Sequence, residues 1–217
     1  VMPGQKLPIN VDTDLTPIAN IAGVTTTSAT NLSASGNVTA TANNAGGLVG
    51  ELLGVNSPGV YMLNTASATG SVTGSYQIGG LIGYISSSGN MTNLQASGTV
   101  NGSAYYVGGL IGYATGSGNL TSSNASGTVS ALNSASGGLI GYMTAALNLS
   151  NTFATGNVTG SSSYVGGLVG QTSYGGTIDA SYATGTVSGS SYVGGLVGLS
   201  QNSGTYSAVM PLAMSQA

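Results

Sequence analysis

The stretch Tyr-Ala-Thr-Gly-Thr-Val-Ser-Gly-Ser-Ser-Tyr-Val-Gly-Gly-Leu-Val-Gly, residues 182–198, contains two strings that recur throughout this chain. The first, Gly-Gly-Leu-(Val/Ile)-Gly, begins at Gly46, Gly79, Gly108, Gly137, Gly166 and Gly194, with spacings of 33, 29, 29, 29 and 28 residues. The second, Ala-(Ser/Thr)-Gly-x-Val, keeps the same phase and places its glycine at Gly36, Gly70, Gly98, Gly127, Gly156 and Gly185. Repeats of this length indicate a stacked repeat architecture, in which each unit buries its apolar face against the next.

Within each copy the apolar residues recur with a period of two. In the segment 154–159, the residues Ala154, Gly156 and Val158 alternate with Thr, Asn and Thr, which is typical of a half-buried strand. A further apolar position lies seven residues before each glycine of the second string, and its members are Ala29, Leu63, Met91, Leu120, Leu149 and Ile178, with Tyr206 continuing the series. We therefore predict an all-β fold, a β-solenoid of about six coils with Gly-rich corners.

The Gly-Gly-Leu segment has apolar residues at both parities. In 164–170, read as one strand, Tyr164 and Leu168 share one face and Val165 and Val169 share the other. A strand that is apolar on both faces is usually covered on both sides. We expect one face to fill the coil interior and the other to meet a second layer or a neighbouring molecule.

The repeats divide the chain into three parts. Residues 1–28 form an N-terminal extension, 29–205 hold six repeats, and 206–217 form an apolar tail that begins a seventh coil. Residues 7–16 alternate as an amphipathic strand, which either caps the first coil or pairs with the exposed edge of a neighbouring subunit. We favour pairing, because the C-terminal end is apolar and uncharged. The predicted self-assembly residues are Ile9, Val11, Leu15, Val209, Met210 and Leu212.

Charged side chains are nearly absent. They make up 2% of the chain, whereas an ordinary globular protein carries about 25%, and the chain contains no histidine, cysteine or arginine. General acid/base catalysis, nucleophilic catalysis and zinc binding depend on the missing types. We therefore expect no enzymatic activity, no cofactor and no metal site.

The same composition limits the binding partners. One lysine and a net charge of −3 cannot neutralise a row of phosphates, so we expect no nucleic-acid partner and no attraction to anionic lipid. Polar residues interrupt every apolar run well short of about 18 residues, so we expect no membrane insertion. The first residue is valine and no basic segment precedes an apolar one, so we expect that any export signal has been removed or left out.

Two patterns of acidic residues resemble functional sites, a glycosidase carboxylate pair and a calcium-binding loop, but both lack features that such sites need. Glu51 and Asp179 lie in the first and sixth coils, too far apart for the carboxylate pair of a glycosidase, which needs about 5–9.5 Å. A calcium-binding loop beginning at Asn10 would need glycine where Leu15 stands and glutamate where Ile21 stands. We interpret both patterns as non-functional.

Outward positions are serine, threonine or asparagine, and eight asparagines lie in Asn-x-Ser/Thr triplets: Asn31, Asn37, Asn90, Asn101, Asn119, Asn124, Asn148 and Asn157. Composition alone accounts for many such triplets in this chain. Asn37, Asn101 and Asn157 nevertheless fall on the outward face of the second string, where an attached glycan would stand clear of the coil. A flat Ser/Thr face also suggests ice binding, but the mixture of Thr, Ser and Asn without a sustained Thr-x-Thr array opposes that interpretation.

The segments 182–198 and Phe-Ala-Thr-Gly-Asn-Val-Thr-Gly at 153–160 resemble the GLUG repeat of bacterial and archaeal surface proteins. The resemblance covers about residues 29–206. It implies an exported, surface-associated protein, such as an adhesin stalk or an appendage of a large secreted peptidase, and it brings no catalytic residues.

We predict a structural subunit of an extracellular filament, sheath or matrix, formed by self-association into a homo-polymer. Solenoids need polar caps to prevent end-to-end addition, open strand edges are normally protected by charge, and near-zero charge favours association. The expected location is extracellular or at the cell surface, and the Asn-x-Ser/Thr triplets make attached glycans candidate partners. The alternative is a cell-surface adhesin stalk or a glycan-binding module excised from a longer protein.

Overall fold

The computed structural model describes residues 29–54, 61–133, 135–144, 146–161, 163–173, 175–202, 204–207, 210–211 and 215–216. Across these residues the chain forms short strands and no helix. Each coil contributes to four sheets in turn, which we name A, B, C and D in chain order, and every strand pairs in parallel with the equivalent strand of the next coil. The prediction of an all-β solenoid is confirmed.

Sheets A and B extend furthest along the solenoid. The strands of sheet A are Ala29–Ala34, Tyr61–Ala68, Asn90–Ala96, Asn119–Thr121, Asn124–Ala125, Asn148–Ser150, Phe153–Ala154, Thr177–Asp179, Tyr182–Ala183, Thr205–Ser207 and Met210–Pro211. The strands of sheet B are Val38–Thr39, Val72–Gly74, Val100–Gly102, Val129–Ala131, Val158–Gly160, Val187–Ser188 and Ser215–Gln216.

Sheets C and D have six strands each. The strands of sheet C are Asn43–Gly46, Tyr76–Gly79, Val107–Gly108, Ser136–Gly137, Ser163–Gly166 and Ser191–Gly194. The strands of sheet D are Val49–Leu53, Ile82–Ser86, Ile111–Ala114, Ile140–Met143, Val169–Thr172 and Val197–Ser200.

The register places equivalent residues of the repeat directly above one another. The apolar position seven residues before the glycine forms one ladder, consisting of Ala29, Leu63, Met91, Leu120, Leu149, Ile178 and Tyr206. The valine of the second string forms another ladder in sheet B, consisting of Val38, Val72, Val100, Val129, Val158 and Val187. The 29-residue period is therefore the length of one coil.

Two separate apolar cores run along the solenoid. Leu, Ile, Met and Ala side chains fill the first, which lies between sheets A and D and includes Leu110 and Leu120. The second lies between sheets B and C, is narrower, and holds mostly valines such as Val100 and Val107. The smaller side chains fit the narrower gap, since protein interiors are packed without voids.

Glycines separate the two cores by bringing backbones together. A methyl group on Gly109 would overlap the carbonyl oxygen of Gly138 in the next coil and would lie 3.0 Å from the Cβ of Ala125. A methyl group on Gly112 would lie 2.5 Å from the backbone nitrogen of Ile78 in the preceding coil. Glycine is therefore required at these positions of the Gly-Gly-Leu-x-Gly string. The backbones of sheets C and D approach so closely there that no side chain would fit between them.

The second string was predicted as one continuous strand, and the structure corrects this. Phe153–Ala154 in sheet A and Val158–Gly160 in sheet B are separate strands that meet at a corner. A methyl group on Gly156 would overlap the carbonyl oxygen of Gly127, so the corner glycines stack closely. The alternation is nonetheless correct, because Val158 is buried and Asn157 is exposed.

The prediction of a doubly apolar Gly-Gly-Leu strand was wrong. The segment bends between Ser163–Gly166 and Val169–Thr172, so its residues do not alternate between two faces of one strand. Val165 joins the second core, whereas Leu168 and Val169 join the first, and all three are fully buried within this chain. No second layer or neighbouring molecule is needed to cover them.

The fourth coil preserves core volume by exchanging two residues. Gly102 faces Val107 and Gly160 faces Val165 in the neighbouring coils, and a methyl group on either glycine would crowd the valine. The fourth coil has alanine and serine at these positions, Ala131 and Ser136, both buried. Ala131 is larger than the glycine it replaces, and Ser136 is smaller than the valine it replaces, so the filled volume changes little. The Ser136 hydroxyl has no hydrogen-bond partner among the described residues.

Candidate functional site

Six tyrosines form one continuous outer surface on sheets C and D. We call this the tyrosine surface, and it consists of Tyr76, Tyr84, Tyr105, Tyr106, Tyr113 and Tyr142. Tyr84, Tyr113 and Tyr142 stack in register along sheet D because each follows the third glycine of its Gly-Gly-Leu-Ile-Gly string. Tyr76 and Tyr105 occupy equivalent positions at the start of sheet C, so the repeat itself assembles the cluster.

The rings contact one another both along and across the coils. The ring centroids of Tyr113 and Tyr142 lie 5.2 Å apart with nearly parallel planes, and those of Tyr84 and Tyr113 lie 5.5 Å apart. Tyr106 lies across this row, 5.0 Å from Tyr113 and 4.8 Å from Tyr142. Such contacts between aromatic rings each contribute about 0.5–1.5 kcal/mol beyond area burial. Tyr76 and Tyr105 lie at the rim of the cluster, 42% and 43% exposed.

Hydrogen bonds fix the hydroxyl groups of the sheet D tyrosines. The Tyr84 hydroxyl lies 3.2 Å from Thr115 Oγ1 of the next coil, and Thr115 Oγ1 itself donates to the carbonyl of Ile85. The Tyr142 hydroxyl lies 2.7 Å from Ser173 Oγ, which donates to Gln201 Oε1. When Thr115 and Ser173 donate to Ile85 and Gln201, each tyrosine donates to its neighbour, and its phenolic oxygen keeps lone pairs as an acceptor.

Tyr106 is held in an unusual local environment. Its backbone has a φ of 59°, in the left-handed region, at the bend that leads into sheet C. Desolvation by burial raises the pKa of the Tyr106 phenol above 10.0, and nearby Tyr142, Tyr113 and Tyr105 raise it further by charge repulsion. Tyr106 therefore stays neutral at physiological pH and keeps the surface uncharged.

Among the described residues, the charged side chain nearest to the tyrosine surface is Glu51, at its edge. At the equivalent positions of the first coil, the Asn44 side-chain nitrogen donates to Glu51 Oε2 at 3.1 Å. Glu51 precedes Tyr84 in the sheet D ladder, whereas Asp179 lies in sheet A.

In the part of the chain that the structure describes, no group of three or more His, Cys, Asp or Glu side chains could hold a metal ion. Across the same residues, no helix is long and apolar enough to cross a membrane.

One series of backbone hydrogen bonds, formed by the leucines, runs in a single direction along the solenoid. The leucine of each Gly-Gly-Leu string donates its N–H to the carbonyl of the corresponding leucine in the next coil, along the series Leu48, Leu81, Leu110, Leu139, Leu168 and Leu196. Within the described residues, the series ends at the carbonyl of Leu48 on one side and at the N–H of Leu196 on the other. In this series one end offers an acceptor and the other a donor. Other series run the opposite way, as where the Thr115 N–H donates to the carbonyl of Ile85 in the preceding coil, so each end offers both kinds of group.

Apolar side chains are less covered at both ends than in the middle. Val193, Leu196 and Val197 in the last coil are only partly buried, as are Leu48 and Val49 in the first. The end strand Val197–Ser200 has no charged residue, and the opposite strand Val49–Leu53 has one, Glu51. Within the described residues, sheets C and D therefore end at both sides in strands that carry partly exposed core residues.

Of the six predicted self-assembly residues, the structure describes one, Met210. Ile9, Val11, Leu15, Val209 and Leu212 lie outside the described residues. Met210 begins the short strand Met210–Pro211, which pairs with Tyr182–Ala183 in sheet A. The predicted boundaries at residues 28 and 205 remain predictions, although Thr205–Ser207 pairs with Thr177–Asp179 and so continues the stack.

The asparagines of the predicted glycosylation triplets occupy two kinds of position. Asn119 and Asn148 form part of an amide ladder in which each side-chain nitrogen donates to the asparagine of the preceding coil, at 2.8 and 3.1 Å. Asn37 and Asn157 are exposed, and their side-chain oxygens accept from the next coil's backbone N–H at 2.9 Å. The remaining four are exposed Asn31 and Asn101 and half-buried Asn90 and Asn124. Glycosylation at these residues stays a prediction.

The tyrosine surface was not identified by the analysis of the sequence, although a signal was present. The string Gly-Gly-Leu-Ile-Gly-Tyr occurs in three consecutive copies, ending at Tyr84, Tyr113 and Tyr142. In a solenoid an identical residue at an identical repeat position must form a ladder. The contribution of Tyr106 could not be found this way, because it depends on the bend that turns sheet C towards sheet D.

The four parallel sheets and the residue ladders define a β-solenoid repeat protein. The GLUG motif matches three segments of the chain, 74–101, 103–130 and 161–188. Each segment spans one complete coil, from the end of a sheet B strand to the next sheet B strand. The chain is therefore a GLUG-motif repeat protein, which confirms the resemblance drawn from the sequence. No curated protein and no solved structure matched the chain.

Proposed function

We propose that this protein is a non-catalytic structural subunit of an extracellular filament, sheath or matrix, built by end-to-end addition of solenoids. The observation that carries the proposal is the complementarity of the two ends. The N–H of Leu196 has no leucine acceptor within the described residues, and it can donate to the carbonyl of Leu48 in the next molecule as each inner leucine does within the chain. Such a head-to-tail contact does not close on itself and generates a polymer.

The side chains at the two ends support the same junction. In the sheet D ladder the first residue is Val49 and the last is Val197, and the inner positions are Ile or Val. Stacking Val197 of one subunit on Val49 of the next would continue this ladder without a change of residue type. In sheets A and B the same level is held by Thr205–Ser207, Met210–Pro211 and Ser215–Gln216, so the first coil of the next subunit must displace these three short strands. Burying the partly exposed valines and leucines stabilises the junction by about 25 cal/mol per Å² of apolar surface.

Sedimentation velocity tests this proposal with a matched pair of variants. Val197→Asp places a charge on the end of the core, where stacking would bury it without a partner, at a cost of several kcal/mol. Ser191→Asp places the same charge on the same end of the solenoid, but at an exposed side chain. We expect large species for the wild type and Ser191→Asp, and folded monomers for Val197→Asp.

A monomeric wild-type protein at all concentrations would contradict the proposal. It would favour the alternative, a cell-surface adhesin stalk or binding module of a longer protein. Far-UV circular dichroism of Val197→Asp separates loss of assembly from loss of folding. The extracellular location remains part of the proposal and is supported by the GLUG repeats and the scarcity of charge.

A further inference from the structure

The tyrosine surface combines three properties that together select a class of ligand. It presents aromatic rings, it presents phenolic oxygens that act as acceptors, and it is almost uncharged. Tyr76 and Tyr105 are the most exposed members, and their ring centroids lie 5.2 Å apart. Exposed aromatic surfaces of this kind mark interaction sites more often than isolated apolar residues do.

The scarcity of charged side chains excludes charged ligands as partners of this surface. The carboxylates in the described residues are Glu51 and Asp179, and only Glu51 lies near the tyrosines. A nucleic acid, an anionic lipid or a strongly acidic protein would find no lysine or arginine among the described residues. Tyr106 stays neutral as well, so the ligand must be recognised without ion pairs.

The hydroxyl network specifies what the ligand must supply. Tyr84 pairs with Thr115 and Tyr142 with Ser173, and both tyrosines donate when Thr115 and Ser173 donate to Ile85 and Gln201. The phenolic oxygens therefore offer lone pairs, and a complementary ligand must bring O–H donors. The same bonds fix the rings before binding, which lowers the entropy lost when a ligand binds.

We propose that the tyrosine surface binds a neutral polysaccharide. A sugar ring has an apolar C–H face that suits the negative face of an aromatic ring, and hydroxyl groups at its edge that suit the phenolic acceptors. The tyrosines recur with every coil from the second to the fourth, so they match a polymer of repeating units better than a small molecule. This inference does not depend on filament assembly.

Biolayer interferometry with immobilised protein measures this binding in any assembly state. The probes are dissolved galactomannan, xyloglucan, mannan and mixed-linkage β-glucan, with alginate as the anionic comparison. The double variant Tyr76→Ala/Tyr105→Ala removes the exposed rings. The matched control Tyr182→Ala removes a ring from sheet A, where Tyr182 stacks on Phe153 with centroids 5.0 Å apart.

We expect at least one neutral polysaccharide to bind the wild type and Tyr182→Ala. The double variant should bind about tenfold more weakly. Tyr84→Phe, which keeps its ring and loses only the phenolic oxygen, should bind several-fold more weakly and serves if the double variant does not fold. No binding to any neutral polysaccharide, binding to alginate alone, or equal binding by wild type, Tyr84→Phe and the double variant would overturn the proposal.

Discussion

The fifth and sixth coils contain an identical heptapeptide, Tyr-Val-Gly-Gly-Leu-Val-Gly, at 164–170 and 192–198. In the fifth coil, Val165, Leu168 and Val169 are fully buried. In the sixth, the equivalent Val193, Leu196 and Val197 are only partly covered. The seven residues are the same, so the difference arises from what stacks on them: in the described residues, sheets A and B continue beyond the sixth coil, whereas sheets C and D end there. In a solenoid the apolar residues of each repeat are buried by the next repeat, so those of an end coil stay partly exposed until another molecule covers them.

The largest expected effect comes from placing a charge at the two equivalent valines. Val169→Asp should prevent folding, because a carboxylate buried in the first core has neither a partner nor water. Val197→Asp should fold, because its side chain retains contact with solvent in the monomer. Urea unfolding followed by circular dichroism compares the two. Equal loss of folding in both variants would show that Val197 in the sixth coil is covered as completely as Val169 in the fifth.

Removing the two equivalent leucines gives a smaller effect in the same direction. Leu168→Ala should reduce the free energy of unfolding by about 2–5 kcal/mol, since it leaves a cavity among fully buried neighbours. Leu196→Ala should cost less in the monomer, because its site is already open to solvent on one side. The difference should be measured below the concentration at which subunits associate. A larger loss for Leu196→Ala would reverse the comparison between inner and end coils.

The fourth coil sharpens the comparison among inner coils. Ser136→Val alone should destabilise the protein by about 1–3 kcal/mol, because Ala131 occupies the space that a glycine leaves in the third and fifth coils. Adding Ala131→Gly should restore stability to the wild-type level or above, because the pair then matches Gly102 with Val107. A double-mutant cycle measures this coupling. Additive effects would contradict the proposed exchange of volume.

The smallest effect concerns pH and salt. With so few charged groups, the free energy of unfolding should be nearly constant from about pH 5 to 9 and insensitive to salt. The raised pKa of Tyr106 stabilises the fold fully below pH 10.0, the ordinary tyrosine value, and this contribution is lost as pH rises through the higher folded pKa. Tyr106→Phe should remove this part of the alkaline decline. If the loss of stability at alkaline pH is unchanged in Tyr106→Phe, a group other than Tyr106 causes it.

The repeat period, the ladders and the inward or outward direction of most residues could be predicted from the sequence. Val158 and Asn157 point as their parity required, and Leu120 and Leu149 stack at the predicted register. These features depend on alternation and spacing, which are properties of a single copy. They therefore need no knowledge of how the strands meet.

The corners could not be predicted in the same way. Val165 and Val169 share a parity, yet they lie in different cores because the chain bends between them. The cause is close backbone contact at Gly166 and Gly167, which depends on the adjacent coil and sheet. The contact of Tyr106 with Tyr113 depends on the same bend and was missed for the same reason.

Electron microscopy of the purified protein tests the central claim, end-to-end addition of solenoids, most directly. We predict unbranched filaments with the solenoid axis along the filament, and a strand spacing of about 4.8 Å that continues across subunit boundaries. Val197→Asp should give separate particles of one subunit under the same conditions. Single wild-type particles, or filaments in which the solenoids lie side by side with their ends exposed, would contradict the claim.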